Sequence, residues 1–241
     1  PERARARLGV LGLVQQTVLA RGGGLRNVRL TLAQANRADL ARQAVLVGIG
    51  YDSPGRIDGQ ARAWDYTPAL PGTGVHGTPD PRSPQRRNGG AEAWLEFIET
   101  RVKPWVAGTT RVDTGRQTLY GHSYGGLFVL HTLLARPQTF QRYVAASPSL
   151  WWHAPYMMRR ASDAGDFSHG APTLHLMAGG AEMLRRPGAA PLATAGATTR
   201  LAAILAAKPG LSVTLREFPG LSHGAMLPAS AQAAAELAAQ P

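Results

Sequence analysis

The chain contains no cysteine. That excludes disulfides, a cysteine nucleophile and thiolate metal sites. Lysine is almost missing too: Lys103 and Lys208 are the only lysines among 26 basic residues, the rest being arginine. Acidic residues number 15, which leaves a formal net charge of +11. No run of about 18 apolar residues occurs, so no membrane-spanning helix is expected. The phosphate-loop signature ending in Gly-Lys-Ser/Thr is absent. The seven histidines are dispersed rather than set at metal-ligand spacing, so no catalytic metal is expected.

What is present bounds the answer further. At 241 residues and 44% hydrophobic, the chain has the size and core material of one domain. The arginines are scattered and form no basic run, so nucleic acid is not an expected partner. A positive field around a pocket for an anionic small molecule fits the charge better. The chain begins at Pro1, and Arg3, Arg5 and Arg7 precede an apolar run at Leu8–Val14. This looks like the front of a signal peptide, but Gln15 and Gln16 interrupt it, which makes that the weaker reading. No repeat or low-complexity linker stands out.

Apolar runs at 45–50, 117–120, 143–147, 173–178 and 211–218 predict strands. Helical spacing at 93–102, 127–134, 198–207 and 229–239 predicts helices between and after them. Pro104 is expected to end the first of these helices. Residues 51–88, rich in Gly, Pro, Arg and Asp, are long for a loop and predict a functional excursion. Within the first 44 residues, a strand at 8–14 and a helix at 32–44 are the readable elements, while Gly22-Gly23-Gly24 reads as flexible loop. Alternating strands and helices predict a mostly parallel sheet with helices on both faces.

The chemistry centres on Gly121-His122-Ser123-Tyr124-Gly125-Gly126. A strand before Gly-x-Ser-x-Gly and a helix after it make a nucleophile elbow, in which the serine sits on a strained turn and helix N–H groups face the reacting carbonyl. Acyl transfer then needs a base, a group to orient it and oxyanion donors. In chain order the base follows a late strand, which singles out His223. Glu182, past the strand at 173–178, is placed to be the acid. Asp163 and Asp166 are weaker rivals, and a Ser–His dyad remains the competing arrangement. Of the other histidines, His131 and His175 read as structural, His122 as packed beside the elbow, and His76, His153 and His169 as loop residues out of order. One oxyanion donor is expected from the Tyr124 N–H, the second from a loop after an early strand. Trp151 and Trp152 are either core anchors or an aromatic wall for substrate. Arg86, Arg87, Arg185 and Arg186 are candidates for attracting an anion.

A set of motifs in one order carries a resemblance over about residues 44 to 235. It comprises Val47-Gly48-Ile49-Gly50-Tyr51, Asp65-Tyr66-Thr67-Pro68, Gly89-Gly90-Ala91, Gly121 to Phe128, and Ser147-Pro148-Ser149-Leu150-Trp151-Trp152. Together they resemble the putative-esterase branch of the α/β-hydrolases, and within it the enterobactin, salmochelin and bacillibactin esterases. The resemblance implies an α/β-hydrolase fold and a cofactor-free serine esterase, with Ser123 as nucleophile and His223 as base. Its implied substrate is the trilactone of a catecholate siderophore, iron-free or ferric, in a bacterial iron-acquisition setting. Some family members are dyads, which leaves Glu182 open. The family's Leu-Leu-Asp-Gly-Asn-like loop after an early strand, source of the second oxyanion donor, has no counterpart here. Residues 1–44 therefore read as a diverged or truncated segment of the same domain, with N-terminal strands missing or altered, ahead of a catalytic region at 45–241. Losing one donor lowers the rate by roughly 10²–10³. A general carboxylesterase or thioesterase, and an impaired protein that only binds siderophore or acyl ligands, are the alternative readings.

Overall fold

A computed structural model describes residues 8–14, 28–30, 44–49, 51, 58–182 and 196–240, the first two segments as backbone strands only. The expected helix at 32–44 (up to residue 43), Gly22–Gly24, Arg185 and Arg186 lie outside the described residues. Among the described residues there are nine strands: β1 (Leu8–Val14), β2 (Val28–Leu30), β3 (Ala44–Ile49), β4 (Thr78–Asp80), β5 (Ser83–Asn88), β6 (Val112–His122), β7 (Arg142–Ala146), β8 (Thr173–Gly179) and β9 (Ser212–Phe218). Seven of them build one sheet in the order β2-β3-β1-β6-β7-β8-β9. Every neighbouring pair is parallel except β2 with β3. This is the α/β-hydrolase fold. β1 lies between β3 and the elbow strand, and its last residue, Val14, is in register with Gly121.

The described helices are α1 (Gly59–Asp65), α2 (Ala91–Phe97), α3 (Lys103–Thr109), α4 (Tyr124–Ala135), α5 (Tyr156–Asp163), α6 (Ala197–Ala206) and α7 (Met226–Ala239). Period-two alternation in the central strands feeds two cores. Leu119, Tyr143 and Ala145 face the larger one, with Leu127, Phe128 and Leu130 of α4. Tyr120, Val144 and Ala146 face the smaller one, under Met226, Ala233 and Ala234 of α7. Helix α4 is apolar all round because it is buried all round, from Tyr124 to Leu133.

Pro104 does not end a helix. A π-helical turn, Ile98–Val102, follows α2, and Pro104 then sits in the first turn of α3. There its missing N–H costs little. The long segment 51–88 contains α1 and the β4–β5 hairpin. Within it, Gly72-Thr73-Gly74-Val75-His76-Gly77 spells Gly-x-Gly-x-x-Gly. It runs through turns into β4 instead of from a strand into a helix, so the context for a dinucleotide is missing.

Candidate active site

Four chain segments converge at the C-terminal ends of the parallel strands, where open α/β sheets place their sites. Ser123 follows β6, Ser147 follows β7, Glu182 lies three residues past β8, and His223 lies five past β9. Ser123 holds φ 61° and ψ −118°, in the region that disfavours a side chain. Close packing around the turn enforces it. A Cβ at Gly121 would stand 2.3 Å from the Gly125 carbonyl, and one at Gly126 would stand 2.8 Å from the Ala146 oxygen. The Gly121→Ala variant is therefore expected to lose about 3 kcal/mol of stability or fail to fold, because backbone has no room to yield. Urea unfolding followed by circular dichroism reads this as a lowered midpoint.

The His223 Nε2 lies 3.0 Å from the Ser123 Oγ. Its Nδ1 lies 3.6 Å from Glu182 Oε2, an ion-pair distance longer than a formed hydrogen bond. The other Glu182 oxygen, Oε1, accepts from the Gly179 N–H at 2.9 Å and from the Ser147 hydroxyl. Burial pushes the Glu182 carboxyl up. The His223 imidazole nearby and the hydrogen bonds from Ser147 and Gly179 outweigh it and hold the group below the usual carboxylate range. Ser147 itself sits at φ 43°. Ser149 completes the cluster: its Oγ lies 3.2 Å from Ser123 Oγ, and its N–H donates to the Ser123 carbonyl. Tyr124 is the first residue of α4, so its N–H has no acceptor within the helix.

The rival acids stand elsewhere. Asp163 closes α5, and Asp166 accepts from the Ser168 N–H. His131 is bound to Glu92 and His175 to Thr214. The tryptophan pair divides. Trp152 is fully buried with its Nε1 donating to Asn88 Oδ1, which corrects its reading as a substrate wall: a ring with no exposed surface meets no ligand. Trp151 is half-buried, 5.5 Å from the Tyr124 ring, with the Arg82 guanidinium 3.3 Å over its own ring. The hairpin brings Arg82 there. Asp80 accepts from the Tyr124 hydroxyl and from the Arg82 and Ser83 N–H groups. Sequence reasoning missed Ser147, Ser149, Asp80 and Arg82. The first two lie inside a motif that signalled the family without assigning their roles. The position of Arg82 depends on a contact across more than 60 residues. Of the arginines singled out by position, Arg87 is spent on the His76 carbonyl and Arg86 lies beside Gly59. The loop after β1, expected to give the second oxyanion donor, lies outside the described residues. Among the described residues no three His, Cys, Asp or Glu side chains gather as a metal site. No described helix is long and apolar enough to cross a membrane.

A serine on a left-handed turn between the central strand and its helix, faced by a histidine from the last strand's loop, is the active-site layout of an α/β-hydrolase. Residues 76–182 match the family model described as putative esterase. Over 148 residues the chain is 39% identical to a siderophore enterobactin esterase of Emericella nidulans, covering 57% of this chain and 48% of that protein. Over 117 residues it is 41% identical to the ferri-bacillibactin esterase BesA of Bacillus subtilis, covering 48% and 40%. Two solved structures extend the likeness to nearly the whole chain. Siderophore hydrolase EstA from Aspergillus nidulans matches with a TM-score of 0.72 at 25% identity, over 98% of this chain and 84% of that one. Enterobactin hydrolase IroE, in complex with DFP, matches at 0.69 and 27% identity, over 99% and 85%. The chain thus resembles the siderophore esterases within the putative-esterase branch of this fold. It spans about half the length of the curated relatives it matches. Those relatives are fungal as well as bacterial, which removes the ground for a bacterial setting.

Proposed function

We propose that this chain is a serine ester hydrolase acting on the lactone esters of a catecholate siderophore. The observation that carries the reading is the run of contacts from Ser123 through His223 to Glu182 on a strained elbow. Ser123 Oγ attacks the ester carbonyl while His223 Nε2 takes its proton. Glu182 steadies the imidazolium that results, and the Tyr124 N–H donates to the oxyanion. His223 then returns the proton to the departing alcohol. Water repeats the sequence on the acyl-enzyme. The relatives named as siderophore esterases support the substrate class, as does the site's wall. The Arg82 guanidinium stacked on the half-buried Trp151 ring presents a planar cation, which suits a flat, anionic catecholate. Residues 1–44 are read as part of the same domain as 45–241, because β1 and β2 are strands of the same sheet.

Purified protein is expected to hydrolyse p-nitrophenyl butyrate, to be labelled at Ser123 by a fluorophosphonate probe, and to linearise an enterobactin-type trilactone. Failure of the first two removes the enzyme reading. Cleavage of the small ester with the trilactone untouched assigns the chain to general carboxylesterases.

A further inference from the structure

We propose that His122 is a positioning residue for the reaction, holding the base His223 in place through its backbone. This rests on the reading of Ser123 and His223 as the reacting pair. His122 is the variable position of the elbow motif and the last residue of β6. The residue is buried, 6% exposed. The Nε2 lies 2.9 Å from the backbone carbonyl of His223, 101 residues further along the chain. A carbonyl only accepts, so Nε2 carries the proton and the contact fixes the tautomer. The two imidazole rings lie 4.6 Å apart at 42°.

The need for such an anchor follows from the loop. The His223 side chain is 48% exposed, and its residue belongs to no helix or strand. Neighbours in the loop have backbone bonds of their own: Leu221 with Phe218 and, across to the loop after β8, with Ala181, Met226 with Ser222, and Leu227 with Gly224. Among the described residues, the backbone of His223 itself is held by His122 alone. The donor is the last residue of β6, directly before Ser123, so base and nucleophile are referenced to the same rigid element. A misplacement of about 1 Å between reacting groups lowers the rate by roughly 10².

Burial, together with His223 alongside, pushes the His122 imidazole down to about 4. The ring is therefore neutral at neutral pH, and it adds no like charge beside the imidazolium that forms in turnover.

Three variants test this with p-nitrophenyl butyrate. His122→Phe keeps a ring of similar size and removes the donor. His122→Gln places an amide N–H about as far from the backbone as Nε2. His122→Asn carries the same amide but falls short of the carbonyl. The expected result is a 10- to 100-fold loss of kcat in His122→Phe and His122→Asn, KM within about twofold, and recovery in His122→Gln to within about fivefold of the parent. Equal activity of His122→Gln and His122→Asn overturns the proposal, even where His122→Phe does not fold. So does a His122→Phe enzyme within twofold of the parent. An unmutated chain that neither hydrolyses the ester nor takes the fluorophosphonate overturns the serine hydrolase reading, and this one with it. An active chain with indifferent His122 variants overturns this one alone.

Discussion

Ser123→Ala is expected to lower kcat on p-nitrophenyl butyrate by on the order of 10⁶, the scale at which a serine hydrolase loses its nucleophile. The loss is this large because no neighbouring group can substitute. Ser149 Oγ is 3.2 Å from Ser123 Oγ, but Ser149 is 1% exposed and held by its own N–H bond to the Ser123 carbonyl. Its hydroxyl therefore lies behind the nucleophile, out of reach of a substrate. The fold should survive. Alanine keeps the Cβ that the φ of 61° already accommodates, and the Ser123 backbone bonds to Ala146, Leu127 and Ser149 are untouched. What is lost locally is one hydrogen bond on each side of the hydroxyl, about 1 kcal/mol each. A melting temperature within a few degrees of the parent, together with kcat at background, is the expected pair of readings. Steady-state kinetics and thermal unfolding on the same preparation check it. Substantial remaining turnover would point to another nucleophile.

The proximity of Ser123 and His223 is legible in the sequence for a physical reason. Parallel strands joined by helices put all their outgoing loops at one edge, so a residue after β6 and a residue after β9 meet although one hundred positions separate them. The same logic places Glu182 beside His223. Gly121 and Gly126 are readable because the close approach of strand, helix and the Ala146 carbonyl leaves no room for a Cβ. Other parts of the site are not readable this way. Trp151 and Trp152 are adjacent in sequence, yet the loop turns between them, sending one into the core and leaving the other under Arg82. Arg82 itself arrives on a hairpin docked by contacts distant in sequence, Asp80 with Tyr124 and Asn88 with Trp152. Pro104 misleads because a π turn ends the register just before it. For the tryptophans and Arg82 the deciding interaction is long-range and has no local pattern.

Glu182→Gln is expected to lower kcat by about 10²–10⁴, with KM little changed. The argument starts from the fixed half of the carboxylate. Oε1 is engaged by the Ser147 hydroxyl and the Gly179 N–H, both donors, so in the variant the amide oxygen takes that place. The amide nitrogen is then turned toward His223 Nδ1, where Oε2 stood at 3.6 Å. Two N–H groups cannot face each other, so the imidazole shifts its proton to Nε2. That nitrogen then points an N–H at the Ser123 Oγ and has no lone pair to take the hydroxyl proton. Loss of the correct tautomer in such a triad costs up to about 10⁴. The 3.6 Å separation and the 48% exposure of the His223 side chain favour the lower end, because water can compete for Nδ1 and relieve the mismatch. Ser147→Ala offers a graded comparison. It leaves the charge in place and removes one of the two donors to Oε1, the Gly179 N–H remaining, and it should cost about tenfold or less. A kcat unchanged in Glu182→Gln would assign the site to a Ser123–His223 dyad, with His223 oriented by its backbone and the carboxylate serving only to tie the loops after β7 and β8 together.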